Sequence, residues 1–181
     1  MAKTNLMIDL ETLGNKAGCV VTSVAAVLFD LKTGETGDEF YEKIDIQSCL
    51  DRGLFIQGGT LEWWFGQSKE AQQELFKDPK NLTEVLHNFR DFIANLNPAN
   101  LKVWGNSNRF DLGILAQAYY VAGYKEIPWK YTLERDVRTL VSFKPEVKEN
   151  HVFIGVPHNP IDDCKNQIMY CSEIWNSLRH D

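Results

Sequence analysis

The stretch LMIDLETLG, residues 6–14, sets two acids, Asp9 and Glu11, one residue apart on an element that otherwise reads as a buried β-strand. Side chains alternate across a strand, so Leu6, Ile8 and Leu10 share one face and the two acids share the other. Residues i and i+2 stand roughly 6.5 Å apart along a strand. Two carboxylates that close, on an apolar element, repel each other and lose hydration. Three arrangements relieve the conflict: one acid is protonated, cations neutralise the pair, or the strand lies at the surface and water solvates it.

Two further places carry acids in chemically useful settings. Asp111 opens a helix directly after the apolar strand LKVWG and the turn NSNRF. An acid there complements the helix dipole, but strand-to-helix junctions are also where open α/β sheets collect site residues. In HNPIDDCKNQI, His158 precedes the last helix, Pro160 suits its first position, and Asp162 and Asp163 fall in its first turn. One of these acids is explained as a cap or dipole partner; the second has no equally simple account. His87, His151 and His180 read as ordinary surface histidines.

The elements that must hold these groups in place follow from pattern. The 181 residues suit one domain, 1–181. Residues 20–30, VVTSVAAVLFD, read as a second strand and EFYEKIDI, residues 39–46, as a third, giving an antiparallel meander with the first. Thr60 is expected to cap a helix over TLEWWFGQ. SKEAQQELF and NLTEVLHNFRDFIANL are helical, the latter with apolar residues at a 3.6 period and Pro98 after it. RFDLGILAQAYYVAG reads as a helix closed by Gly123, TLERDVRTLVSF as helical or mixed, and DDCKNQIMYCSEIWNSL as a final amphipathic helix. The fold class is therefore α/β with a mixed central sheet flanked by helices. No G-x-G-x-x-G or P-loop pattern occurs, so a nucleotide cofactor has no motif behind it.

Composition narrows the classes. No apolar run is long enough to span a membrane, and the N-terminus lacks a signal-peptide pattern, so a cytoplasmic location is expected. The four cysteines form no C-x-x-C pair, and packing as reduced thiols is expected rather than zinc binding. A net charge of −6 argues against a passive DNA coat. It leaves room for an enzyme working on a few nucleotides at a chain end, where metal ions supply local positive charge.

Taken together, D-x-E on the first strand, F-D after a later strand and H-x-x-x-x-D at the last helix form an ordered set. This set resembles the DEDDh group of 3′→5′ exonucleases, which have a ribonuclease H-like fold. A closer resemblance runs through five blocks in order: LMIDLETLG, TLEWWFGQSKEA, VWGNSNRFD, RDVRTLV and HNPIDDCKNQ. They look like the exodeoxyribonuclease VIII-like exonucleases of phages and prophages and a related bacterial exoribonuclease family. Thr22 and Ala25 in the second strand, and Ser107 and Arg109 in the turn before Asp111, depart from the usual pattern without touching the acids.

The resemblance implies chemistry as well as fold. Asp9, Glu11, Asp111 and Asp163 would hold two Mg²⁺ or Mn²⁺ ions, hard cations suited to oxygen ligands. Asp9 would bridge both ions, Glu11 and Asp163 would hold the one that activates water, and Asp111 the other. His158 would take the proton from that water; an imidazole's reference pKa of about 6.5 suits the task. Asp162 does not fit the spacing and is taken as a helix-start charge. The implied reaction releases nucleoside 5′-monophosphates from a 3′ end, with single-stranded DNA favoured and RNA as the alternative. A non-catalytic end-binding module is the third reading. Thr12 and Leu13 would contact the terminal nucleotide, Leu13 as a wedge beside the last base. Of Trp63 and Trp64 one would pack and the other stack on a base, with Trp64 taken as the stacking residue, unless both are buried or at a homodimer contact. Asn106 would hydrogen-bond substrate or simply form its turn. Arg135 and Arg138 would contact phosphate, unless Asp136 between them ties them into an internal ion pair.

Overall fold

The computed structural model describes residues 3–96 and 98–179, so His180 lies outside the described residues. Five strands form one sheet: β1 (Asn5–Thr12), β2 (Val21–Phe29), β3 (Thr36–Lys43), β4 (Lys102–Gly105) and β5 (Glu134–Asp136), in the order β3-β2-β1-β4-β5. β1 pairs antiparallel with β2, and β2 with β3, while β4 and β5 continue the sheet in parallel. The antiparallel meander and mixed sheet expected from the sequence are therefore present. Eight helices accompany it among the described residues: α1 (Ile46–Leu50), α2 (Gly58–Phe65), α3 (Lys69–Leu75), α4 (Leu82–Asn95), α5 (Asp111–Val121), α6 (Val137–Val141), α7 (Pro145–Glu149) and α8 (Pro160–Ser177). None of the helices searched is long and apolar enough to cross a membrane.

The sheet separates two cores. Leu6, Ile8 and Leu10 of β1 join Val85, Leu86, Phe89 and Ile93 of α4 and Leu112, Leu115 and Tyr119 of α5 in the larger. Met7 leaves β1 on the other face and packs with Val27, Phe29 and Trp104 against Cys164, Ile168, Cys171 and Ile174 of α8. That α8 stripe repeats every three or four residues, as one buried helix face requires. By strand alternation Asp9 and Glu11 lie on Met7's face, so α8 is the element that covers them. β4 pairs with β1 only from Asn5 to Ile8. The two acids thus sit just beyond the carboxyl end of β4, where parallel strands leave a crevice.

Two local expectations are corrected. β3 starts at Thr36 and stops at Lys43, because the Asp45 carboxylate accepts the Ser48 N–H at 2.8 Å and caps α1. α2 begins at Gly58 with Gln57 as its N-cap, and Thr60 lies within its first turn. Gln57 is fixed there because its backbone N–H donates to the Leu13 carbonyl at 2.8 Å. The mixed segment around residue 135 contains β5, three residues long and too short to show a period.

Candidate active site

β1 supplies Asp9 and Glu11, α5 supplies Asp111 at its first position, and α8 supplies Asp163 in its first turn. The start of α8 is set by Asn159, whose side chain accepts the N–H groups of Ile161 and Asp162, with Pro160 following as the first helical residue. Asp111 is only 2% exposed and fits because β4 ends in glycine: a Cβ on Gly105 would stand 3.0 Å from the Asp111 side chain. The Asp111 carboxylate accepts the Ser107 N–H at 3.0 Å.

The acids act on one another. Burial, and then the charges of Asp111, Glu11 and Asp163, push the Asp9 carboxyl well above the usual range, opposed by the Gln167 amide that donates to it at 3.0 Å. Burial, with Asp163 and Asp111, lifts Glu11 to about 8. Burial raises Asp111 to about 6 against backbone N–H bonds and the charge of Arg138. Burial also raises Asp163, opposed by the charge and backbone N–H of His158. Four carboxylates from three distant segments therefore converge, as the sequence motifs require. Solvation at the surface no longer explains the Asp9–Glu11 pair.

Glu11, His158 and Asp163 each offer a ligand atom, and these atoms lie within 4.8 Å of one another. The buried Oδ1 of Asn106 and Oε1 of Gln167 have no hydrogen-bond partner. A concentration of like-charged oxygen donors that raises its own proton affinity fits a divalent cation. Around it lies a cavity of about 360 Å³, lined among others by Asp9, Glu11, Trp63, Asn106, His158 and Asp163.

His158 is exposed and adopts φ +65°, a left-handed backbone uncommon outside glycine. Its ring meets Trp63 edge-on at 5.2 Å, and Trp63 in turn meets Trp64 at 5.0 Å. Asp162 does not join the carboxylate group; it accepts the Val156 N–H at 2.9 Å and so shapes the segment leading to His158.

The binding residues are placed less as expected. Trp64 is 4% exposed in the larger core and donates its indole N–H to the Thr12 carbonyl at 2.9 Å. The exposed indole is Trp63, at 45%. Leu13 lies past the end of β1, where its backbone is tied to Val20 and Gln57, and its side chain is buried in the core rather than free to wedge against a base. Thr12 lines the cavity but its hydroxyl donates to the Gly14 carbonyl at 2.6 Å. Arg138 is exposed and its charge reaches Asp111, yet it does not line the cavity. Asp136 forms no salt bridge among the described residues. Its carboxylate accepts the N–H groups of Thr139 at 2.7 Å and Asn108 at 2.9 Å, capping α6 and fixing the turn before Asp111.

Two residues were not singled out by sequence. Gln167 follows Asp163 by one helical turn, and that spacing is the signal that places both above β1. Asn166, 3% exposed, uses its full hydrogen-bonding capacity. It accepts from His151 Nε2 at 2.8 Å and the Ile154 N–H at 2.9 Å, and donates to the carbonyls of Ile154 at 2.8 Å and Asp162 at 2.7 Å. It clamps the segment that ends in His158 onto α8. Asn166→Ala is expected to lower stability by about 2 kcal/mol, since it removes four hydrogen bonds made by one buried side chain. It should also cut kcat about tenfold by loosening His158. Thermal unfolding and steady-state kinetics check both.

The fold has counterparts among solved structures. The nuclease domain of 3'hExo, a DEDDh family member solved bound to rAMP, superposes with a TM-score of 0.66 at 14% identity, over 96% of this chain and 92% of that one. E. coli Exonuclease I, solved with a dA16 oligonucleotide, gives a TM-score of 0.66 at 16% identity, over 97% of this chain and 42% of that one. These likenesses establish the ribonuclease H-like fold of DEDDh exonucleases. No curated protein sequence matches significantly. The model of one protein family, described as the 3'-5' exoribonuclease Rv2179c-like domain, matches residues 4–175. The chain is a 3′→5′ exonuclease, and it belongs to the Rv2179c-like 3′-5′ exoribonuclease domain family.

Proposed function

We propose that the protein shortens single-stranded RNA from the 3′ end, releasing nucleoside 5′-monophosphates, with Asp9, Glu11, Asp111 and Asp163 holding two Mg²⁺ or Mn²⁺ ions. The observation that carries this reading is the convergence of those four carboxylates beside His158. When bound, the ions supply Lewis-acid charge at the scissile phosphate. His158 accepts the proton of the attacking water, and its contact with Trp63 sets the plane of the imidazole. Gln167 holds the Asp9 carboxylate in orientation. Asn106 lines the cavity and hydrogen-bonds the nucleotide there.

RNA is preferred to DNA because the family to which the chain belongs is described as exoribonucleases. DNA is the second reading, favoured by the five sequence blocks that resemble exodeoxyribonuclease VIII-like enzymes. The two are separated by incubating 5′-labelled RNA and DNA of one sequence with protein and Mg²⁺ or Mn²⁺, with EDTA controls. Stepwise shortening of RNA, abolished by EDTA, supports the first reading; shortening of DNA alone supports the second. Retained binding with no shortening of either would leave an end-binding module and overturn both. A cytoplasmic location is supported by four cysteines that are all free and buried, as a reducing compartment allows.

Trp63, rather than Trp64, is taken as the base-stacking residue. Base–aromatic stacking contributes roughly 1–3 kcal/mol. Trp63→Ala is expected to raise KM for a short oligonucleotide about tenfold with a smaller change in kcat, and Trp63→Phe to recover most of the loss. An unchanged KM would remove Trp63 from the binding surface.

A further inference from the structure

A second cavity, about 670 Å³ and thus larger than the one at the acids, lies along the β4–β5 edge of the sheet on the face covered by α8. Its volume falls in the range of small-molecule sites. Trp104, Leu140, Phe143 and Trp175 supply aromatic and aliphatic wall. Trp104 and Arg135 are register partners on β4 and β5, so both side chains leave the sheet on this face. Lys32, Lys102 and Arg135 also line the cavity.

The charges around it are not equivalent. Its three acids are committed to internal hydrogen bonds. Asp30 accepts the N–H groups of Lys32 and Thr33, Glu134 accepts the Trp129 indole N–H, and Asp136 caps α6. Among the described residues none of the three cations forms a salt bridge. Arg135 donates to the Glu134 carbonyl through one guanidinium nitrogen, which leaves further N–H groups of that fork.

We propose that this cavity is a nucleotide site separate from the four carboxylates. The base lies against Trp104, Trp175 and Phe143. The phosphate meets Lys32, Lys102 and Arg135. An aromatic wall favours a planar ring of any base, and charge-assisted bonds from Lys and Arg favour phosphate. A neutral apolar ligand would use the wall and leave the cations idle; inorganic phosphate would do the reverse.

The test is calorimetry and tryptophan fluorescence on the full chain in EDTA, so that no cation bridges a phosphate to the acids. Adenosine 5′-monophosphate is the probe, compared with adenosine and inorganic phosphate. Saturable binding of one equivalent is expected, with the two fragments weaker. Lys32→Glu with Lys102→Glu, changes at side chains near the surface, should weaken it at least about tenfold. Trp63→Ala should leave it unchanged. Absence of saturable binding overturns the proposal, as does binding that survives the double charge reversal but is lost in Trp63→Ala. A 3′-phosphorylated oligonucleotide assigns the source. Competition sensitive to the same charge reversal means that the nucleotide belongs to a bound strand, and no competition means that it is a free nucleotide.

Discussion

Glu11→Gln is expected to abolish turnover while making the metal-free protein more stable. Loss of one carboxylate from a site that needs its full charge to hold divalent cations should lower kcat/KM about a thousandfold. The stability effect has the opposite sign because Glu11 is raised from 4.5 to about 8 by burial and by Asp163 and Asp111. Between those values the folded state binds more protons than the unfolded state, so the metal-free wild type loses stability as pH rises through that window. At pH 8 the charge imposes a cost of about 4 kcal/mol, which glutamine does not carry. In EDTA at pH 8 the variant should therefore melt about 10 °C higher than wild type. At pH 5, where Glu11 is largely protonated, the gap should shrink. Adding Mg²⁺ or Mn²⁺ should raise the wild-type Tm more than the variant's. A variant that melts lower than wild type in EDTA at pH 8 would mean that Glu11 has a compensating partner in the metal-free protein.

The second large effect is at His158. His158→Ala should reduce kcat about 100- to 10,000-fold, the usual contribution of a positioned base. Metal affinity measured by calorimetry should stay near wild type. The imidazole stands among possible ligand atoms of Glu11 and Asp163, so the alternative is concrete. A fall in affinity that matches the fall in rate would make His158 a ligand and not a base. The residue holds φ +65°, a conformation that histidine tolerates better than alanine, so His158→Ala also adds a little backbone strain. Asparagine tolerates that conformation better. His158→Asn should therefore recover stability while remaining as slow as the alanine variant.

The acids were legible in the sequence because each is announced by local spacing: a D-x-E on a strand, an aspartate at a strand-to-helix turn, and H-x-x-x-x-D at a helix start. Their convergence was visible only through the order of the motifs. The binding surface was much less legible, since it depends on rotation and on competition for side-chain groups. Trp63 and Trp64 are neighbours on α2, and which of them faces the core follows from where Gln57 anchors that helix. Leu13 continues a motif, yet the hydrogen bonds that turn the chain at that point carry its side chain inward. Asp136 sits between two arginines in sequence, but the Asn108 and Thr139 N–H groups claim its carboxylate. β5 escaped detection because three residues cannot display a period.

The hydrogen bond between Gln167 and Asp9 joins positions 158 residues apart. A fragment ending at β5 would carry Asp9, Glu11 and Asp111 but neither His158 nor Asp163. The group of four carboxylates is therefore complete only once α8 has docked on β1, so its assembly reports that the whole fold has closed.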